Sequence, residues 1–178
     1  MDQWTDKRMI QSQRSRFLFF LPFTLVMWSA CSSLSDEELW KRVEAAKAGK
    51  NWDSTLIVSQ RILTEFPSGR FASWARFAMA ESYRFKNQPR EALDNYRIFE
   101  QTYPEMQAAP LSLFLVGYLY ANNLQQTDSA KYYYRQFLER YPQHELIPTV
   151  QLELNSLGLT PEQALEQVQK GSRTEARR

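Results

Sequence analysis

Sulfur and imidazole are almost missing from this chain: Cys31 and His144 are its only cysteine and its only histidine. A single cysteine excludes a disulfide within the chain, and the two residues together cannot furnish the four ligands of an ordinary zinc site. Glycine is scarce as well, five in 178 residues, which argues against an all-β fold with many tight turns. Charge of one sign is lacking too. The first thirty residues hold four Lys/Arg and two Asp; subtracting them from 22 and 20 leaves 18 of each sign. A balanced remainder excludes the basic footprint of a nucleic-acid binder. Glycine-rich phosphate loops, nucleophile elbows and His-Glu-x-x-His sequences are all missing. No cofactor, metal or catalytic residue is therefore expected, and the chain reads as a non-enzyme without a small-molecule substrate. What it has is apolar: 43% hydrophobic and 14% aromatic residues, enough for one modest packed domain.

The aromatic residues recur in a pattern. Ala92 to Pro104 reads ALDNYRIFEQTYP and Ala130 to Pro142 reads AKYYYRQFLERYP, sharing Ala, then Tyr, Phe and Tyr-Pro at the same offsets. A weaker copy, Thr55 to Pro67, puts Ser59, Ile62 and Phe66 in those slots. The closing prolines Pro67, Pro104 and Pro142 are 37 and 38 residues apart. Offsets of 4, 7 and 11 place the apolar members on one stripe of an α-helix. Such a stripe cannot be buried alone, so the helices must stack on their neighbours.

Helices alternate with these signatures. Ser35-Asp-Glu-Glu38 opens one as a capping box, with Leu39, Val43 and Ala46 as its stripe. Leu56, Ile57, Val58 and Leu63 predict burial of Trp52 to Phe66 on more than one side. Arg70 to Lys86 follows, then a helix opened by Pro89, then Pro110 to Asn122, where Gly117 predicts a close helix–helix contact. After the third signature come Pro148 to Leu157 and a short last helix from Thr160, whose Ala164, Leu165 and Val168 are expected to cover the end of the stack. His144 is expected in an exposed turn between repeats.

At the N-terminus, Lys7, Arg8, Arg14 and Arg16 precede the uncharged run Phe17 to Trp28, and Ser29 and Ala30 lead to Cys31. This is the layout of a secretory signal. Twelve residues at about 1.5 Å each fall short of a roughly 30 Å hydrocarbon core. The organisation expected is a signal over 1–30, a tether over 31–35, a helical domain over 36–170 and a disordered basic tail over 171–178.

The paired helices resemble the tetratricopeptide repeat. That family's small and Tyr slots fall on Ala80 and Tyr83, then Gly117 and Tyr120, and its second-helix Ala and aromatic on Ala92 and Tyr96, then Ala130 and Tyr134. Arg76 and Leu113 stand where the family carries tryptophan. The resemblance implies an all-α solenoid of about three helix pairs and a C-terminal capping pair, its period lengthened between repeats. It also implies a groove lined by the first helix of each pair: Trp74, Phe77, Glu81 and Arg84, then Leu111, Phe114, Tyr118 and Asn122. Those rings either anchor a partner peptide or pack in the core, and the sequence leaves both open.

Ser-Ala-Cys31 is similar to the lipobox of bacterial lipoproteins, with Trp28 in the slot usually held by leucine. That resemblance implies acylation of Cys31 and, with Ser32 following, an outer-membrane lipoprotein facing the periplasm. An uncleaved signal-anchor in the inner membrane is the alternative. Long repeats behind such a signal are similar to the tetratricopeptide lipoprotein of the β-barrel assembly machinery and to the Tol–Pal-associated coordinators of division and wall synthesis. Either resemblance implies a scaffold for envelope proteins. An envelope hydrolase, the competing class, would need a converging carboxylate pair that spacing does not nominate.

Overall fold

The computed structural model describes residues 34–160, 162–163 and 165–166. The signal expected over 1–30, Cys31, the basic tail, and Ala164 and Val168 of the expected last helix lie outside the described residues. Seven helices occur among those described, with no strand: α1 Asp36–Ala48, α2 Trp52–Glu65, α3 Ala72–Phe85, α4 Pro89–Thr102, α5 Ala109–Asn122, α6 Thr127–Arg140 and α7 Ile147–Ser156. Each packs mainly on the one before and the one after it. The fold is an all-α, tetratricopeptide-like helical repeat of three pairs closed by α7. No described helix is long and apolar enough to cross a membrane.

Local chemistry sets the ends of these helices. The Ser35 hydroxyl accepts from Glu38 N–H at 3.2 Å while Glu38 Oε2 accepts from Ser35 N–H at 2.9 Å, the reciprocal cap expected from the sequence. Asn51 caps α2 by accepting from Ser54 N–H at 3.0 Å, and Pro89 occupies the first position of α4, where its missing N–H costs nothing. Within each pair the turn carries one left-handed residue: Lys50, Asn87 and Gln125, at φ 53°, 55° and 53°. Asn51 N–H and Gln88 N–H then donate five residues back, to Ala46 and Tyr83, but Gln126 N–H donates six back, to Tyr120. The extra residue of the longer second spacing therefore sits in the α5–α6 turn.

Between pairs the backbone repeats bond for bond. Gly69, Met106 and His144 each donate N–H three residues back, to Phe66, Tyr103 and Tyr141, and each accepts from the third residue ahead. This double turn is the inter-repeat lengthening inferred from the sequence. His144 sits in that turn but is half-buried rather than exposed. Its ring meets Phe137 edge-on at 5.5 Å, and its Nδ1 accepts from Leu146 N–H.

The signature residues are the core. Thr55, Ala92 and Ala130, then Ser59, Tyr96 and Tyr134, then Ile62, Phe99 and Phe137 are all fully buried. Three apolar clusters result, and α3 and α5 each feed two of them: Ala75 and Ala78 join the first, Phe77 and Ala80 the second, Val116 and Leu119 the second, Leu113 the third. At about 25 cal/mol per Å² of apolar surface removed from water, such clusters supply the main drive for stacking.

Besides His144, two sequence expectations are corrected. Ile57 is 70% exposed, because α2 is the outer helix of the first pair and buries only the stripe that meets α1 and α3. Leu165 is 63% exposed, although the reciprocal bonds of Thr160 and Gln163 that open its turn are present.

Candidate functional site

α3 and α5, each the first helix of its pair, bury two sides, so only a narrow strip of each reaches solvent. On α3 that strip is Trp74, 39% exposed, with Glu81 and Arg84 half-buried; Phe85, at the end of the helix and 51% exposed, stacks on Trp52 of α2. On α5 it is Leu111, 37% exposed, with Phe114 and Tyr118 half-buried and Asn122 exposed. Trp74 and Leu111 are 37 residues apart and occupy equivalent places in successive repeats. Phe77 does not belong with them. It is buried at 9% exposure and meets Tyr96 at 5.7 Å and Phe99 at 5.3 Å, edge to face. The physical reason is that α4 presents two large rings directly beneath it.

Half-burial gives the α5 rings a fixed geometry. Phe114 lies 6.2 Å from Tyr118 and stacks at 6.0 Å on Tyr134, whose hydroxyl donates to Glu153 of α7 at 3.3 Å. Burial, with the Glu153 carboxylate beside it, pushes the Tyr134 phenol well above its ordinary value. Rigid rings of this kind give contact area at little entropic cost to a ligand. Asn122 Nδ2 donates to the Tyr118 carbonyl at 3.2 Å, which holds the end of the strip.

The charges on α3 are also placed. Glu81 does not pair with Arg84; it accepts from Lys47 Nζ of α1 at 2.6 Å, tying two first helices together. Lys47 is missing from the sequence reading. The signal for it existed, since it lies 37 residues before Arg84, at the same place in the preceding repeat. Arg84 lies over the Phe85 ring, 4.3 Å from its centroid, and beside the buried Tyr96 hydroxyl. Desolvation pushes that phenol up to about 12, with Arg84 opposing the rise.

Where the expected tryptophan slots fall, Leu113 is buried and Arg76 Nη1 donates to Asn95 of α4 at 3.1 Å. Tyr133 is half-buried against Tyr120, and Tyr132 is 58% exposed. Glu100 is the one buried carboxylate among the described residues, and it is ion-paired with Arg140. No cluster of three or more His, Cys, Asp or Glu able to hold a metal occurs among them. The strip offers apolar anchors flanked by fixed charge, which is chemistry for binding.

Residues 74–105 and 111–144 each match the tetratricopeptide repeat family. The matches correspond to the α3–α4 and α5–α6 pairs, leaving α1–α2, with Ser59 in the aromatic slot, outside them. Over those segments the chain is similar to a fold used for protein–protein interaction. No match among curated proteins is found.

Proposed function

We propose that this protein is a lipid-anchored scaffold of the bacterial envelope, held to the outer membrane through Cys31. In this reading it faces the periplasm and recruits partners to outer-membrane protein assembly. The observation that carries the scaffold reading is the strip of Trp74, Leu111, Phe114 and Tyr118 on a tetratricopeptide-like stack. Partner peptides or helices lay apolar side chains on such anchors. Support for the anchor is the placement of the sole cysteine directly after Ser29 and Ala30. Acyl chains contribute about 0.8 kcal/mol per buried CH₂, so two or more hold a soluble domain firmly.

The strip is tested by affinity capture from solubilised envelopes with wild-type protein and a Trp74→Ala/Tyr118→Ala variant of matched thermal stability. Loss of specific partners in the variant is expected; unchanged recovery would remove the strip from function. Recovery of division or wall-synthesis proteins in place of assembly components would move the scaffold to the Tol–Pal type of role. Labelled palmitate should be incorporated by the wild type and not by Cys31→Ala; labelling that persists defeats the anchor.

A further inference from the structure

The α5–α6 turn, one residue longer than its counterparts, also borders α4. Between this turn and the N-terminal half of α4 lies a cleft of about 270 Å³, walled by Arg90, Leu93, Asp94 and Arg97 on one side. Tyr120, Leu124 and Gln126 form the other. None of these belongs to the α3–α5 strip. The volume lies just below the roughly 300–1,000 Å³ of small-molecule sites, and suits one or two side chains better than a cofactor.

Its polar groups are under-used. Arg90 and Arg97 are separated by about 10.5 Å along the helix, with Asp94 between them. None of the three is in an ion pair among the described residues, whereas Lys47, Lys86 and Arg140 each pair across helices. Glu100, one turn beyond Arg97, is taken by Arg140. Arg97 Nε is buried with no hydrogen-bond partner among the described residues. A buried donor of that kind costs free energy where it stands, as Arg84 Nε does on α3, and leaves the terminal guanidinium nitrogens of Arg97 as the groups a ligand would meet. Gln126, at the start of α6, makes no side-chain cap bond. The apolar wall is firm: Leu93 is 4% exposed and Tyr120 stacks on Tyr133 at 5.4 Å.

We propose that this cleft takes an acidic side chain from an extended partner segment, its carboxylate on Arg97 and Arg90 and the adjacent apolar side chain against Leu93, Tyr120 and Leu124. Asp94 sets the charge selection. It tolerates one negative charge between two arginines, repels the doubly charged phosphate group, and can accept a backbone N–H of the bound segment. Charge-assisted bonds to guanidinium are the strong kind, and this second contact would set which partners dock.

The test is fluorescence anisotropy on the full-length chain with a labelled, acetylated and amidated Gly-Ser-Glu-Leu-Ser-Gly peptide, against its Gln counterpart. The Glu peptide is expected to bind below about 1 mM, a threshold of weak but specific association, and the Gln peptide roughly tenfold more weakly. Arg97→Gln should lose about tenfold and Asp94→Asn should tighten binding severalfold, with Trp74→Ala unchanged. Arg90→Gln, at an exposed position, provides a second variant should Arg97→Gln melt early, and it should weaken binding a fewfold. Equal binding of Glu and Gln peptides, or affinity unmoved in either arginine variant, overturns the assignment. So does preferential saturation by inorganic phosphate or phosphatidylglycerol vesicles, which would give the cleft to a phosphate group. Because Trp74→Ala leaves this readout alone, failure here and failure of the strip are separable.

Discussion

A β-carbon added to Gly117 of α5 would stand 2.6 Å from Cε1 and 2.7 Å from Cδ1 of Tyr134 in α6. Tyr134 is fully buried, stacked against Phe114 and hydrogen-bonded to Glu153, so its ring has nowhere to retreat. Alanine would gain up to about 1 kcal/mol of helix propensity, yet overpacking costs about 1–3 kcal/mol. Gly117→Ala should therefore be destabilising on balance in urea unfolding. Adding Tyr134→Leu should make the double variant less unstable than the sum of the singles, a positive coupling that a merely local backbone effect would not produce.

Tyr96 gives a prediction in pH. Its hydroxyl is buried without a hydrogen-bond partner among the described residues, and its phenol is pushed up to about 12 by desolvation. In the unfolded chain a phenol ionises near 10. The unfolded state therefore releases its proton first, and the fold loses stability as pH climbs from about 10 towards 12, with no contribution below 10. Tyr134 acts in the same direction. Tyr96→Phe should change stability by less than about 1 kcal/mol at pH 8, since it removes an unsatisfied group, and should flatten the alkaline fall. Urea midpoints at pH 8 and pH 11 check both.

The left-handed turn residues Lys50, Asn87 and Gln125 offer a stabilising change. A side chain in that region costs about 1–2 kcal/mol, except that asparagine tolerates it better. Gln125→Gly relieves this and loses part of the gain to unfolded-state entropy, so a net gain of about 0.5–1 kcal/mol is expected. Asn87→Gly should give less. Thermal melts of the two variants side by side decide it.

Glu100 and Arg140 should respond asymmetrically. Glu100 is 7% exposed, so Arg140→Ala strands a buried carboxylate, while Glu100→Gln removes the charge and keeps the shape. Arg140→Ala should be the more destabilising by about 1 kcal/mol or more. Equal losses in the two variants would mean that the pair is screened by water.

The architecture was legible in the chain because its physics is local and periodic. Stripes at helical spacing, prolines 37 and 38 apart, the Ser35 capping box, and a glycine at the tight contact each point to one stacking solution. Binding residues were legible only as a set. Phe77 and Trp74 lie three apart on one helix, and nothing in the sequence says that Tyr96 and Phe99 wait beneath the first and not the second. His144 is a polar turn residue until Phe137 packs on its ring.

Charge partners were hidden for the same reason. Lys47 and Glu81 are 34 residues apart and meet because a first helix touches the next first helix. Arg97 loses its natural neighbour Glu100 to Arg140, a residue 40 positions on. The sequence by itself determined the helices, their order and the stripe that glues them. Only the tertiary structure decided which rings stay in water and which arginine donors lack a partner among the described residues, because burial and pairing depend on what the neighbouring repeat brings opposite each side chain.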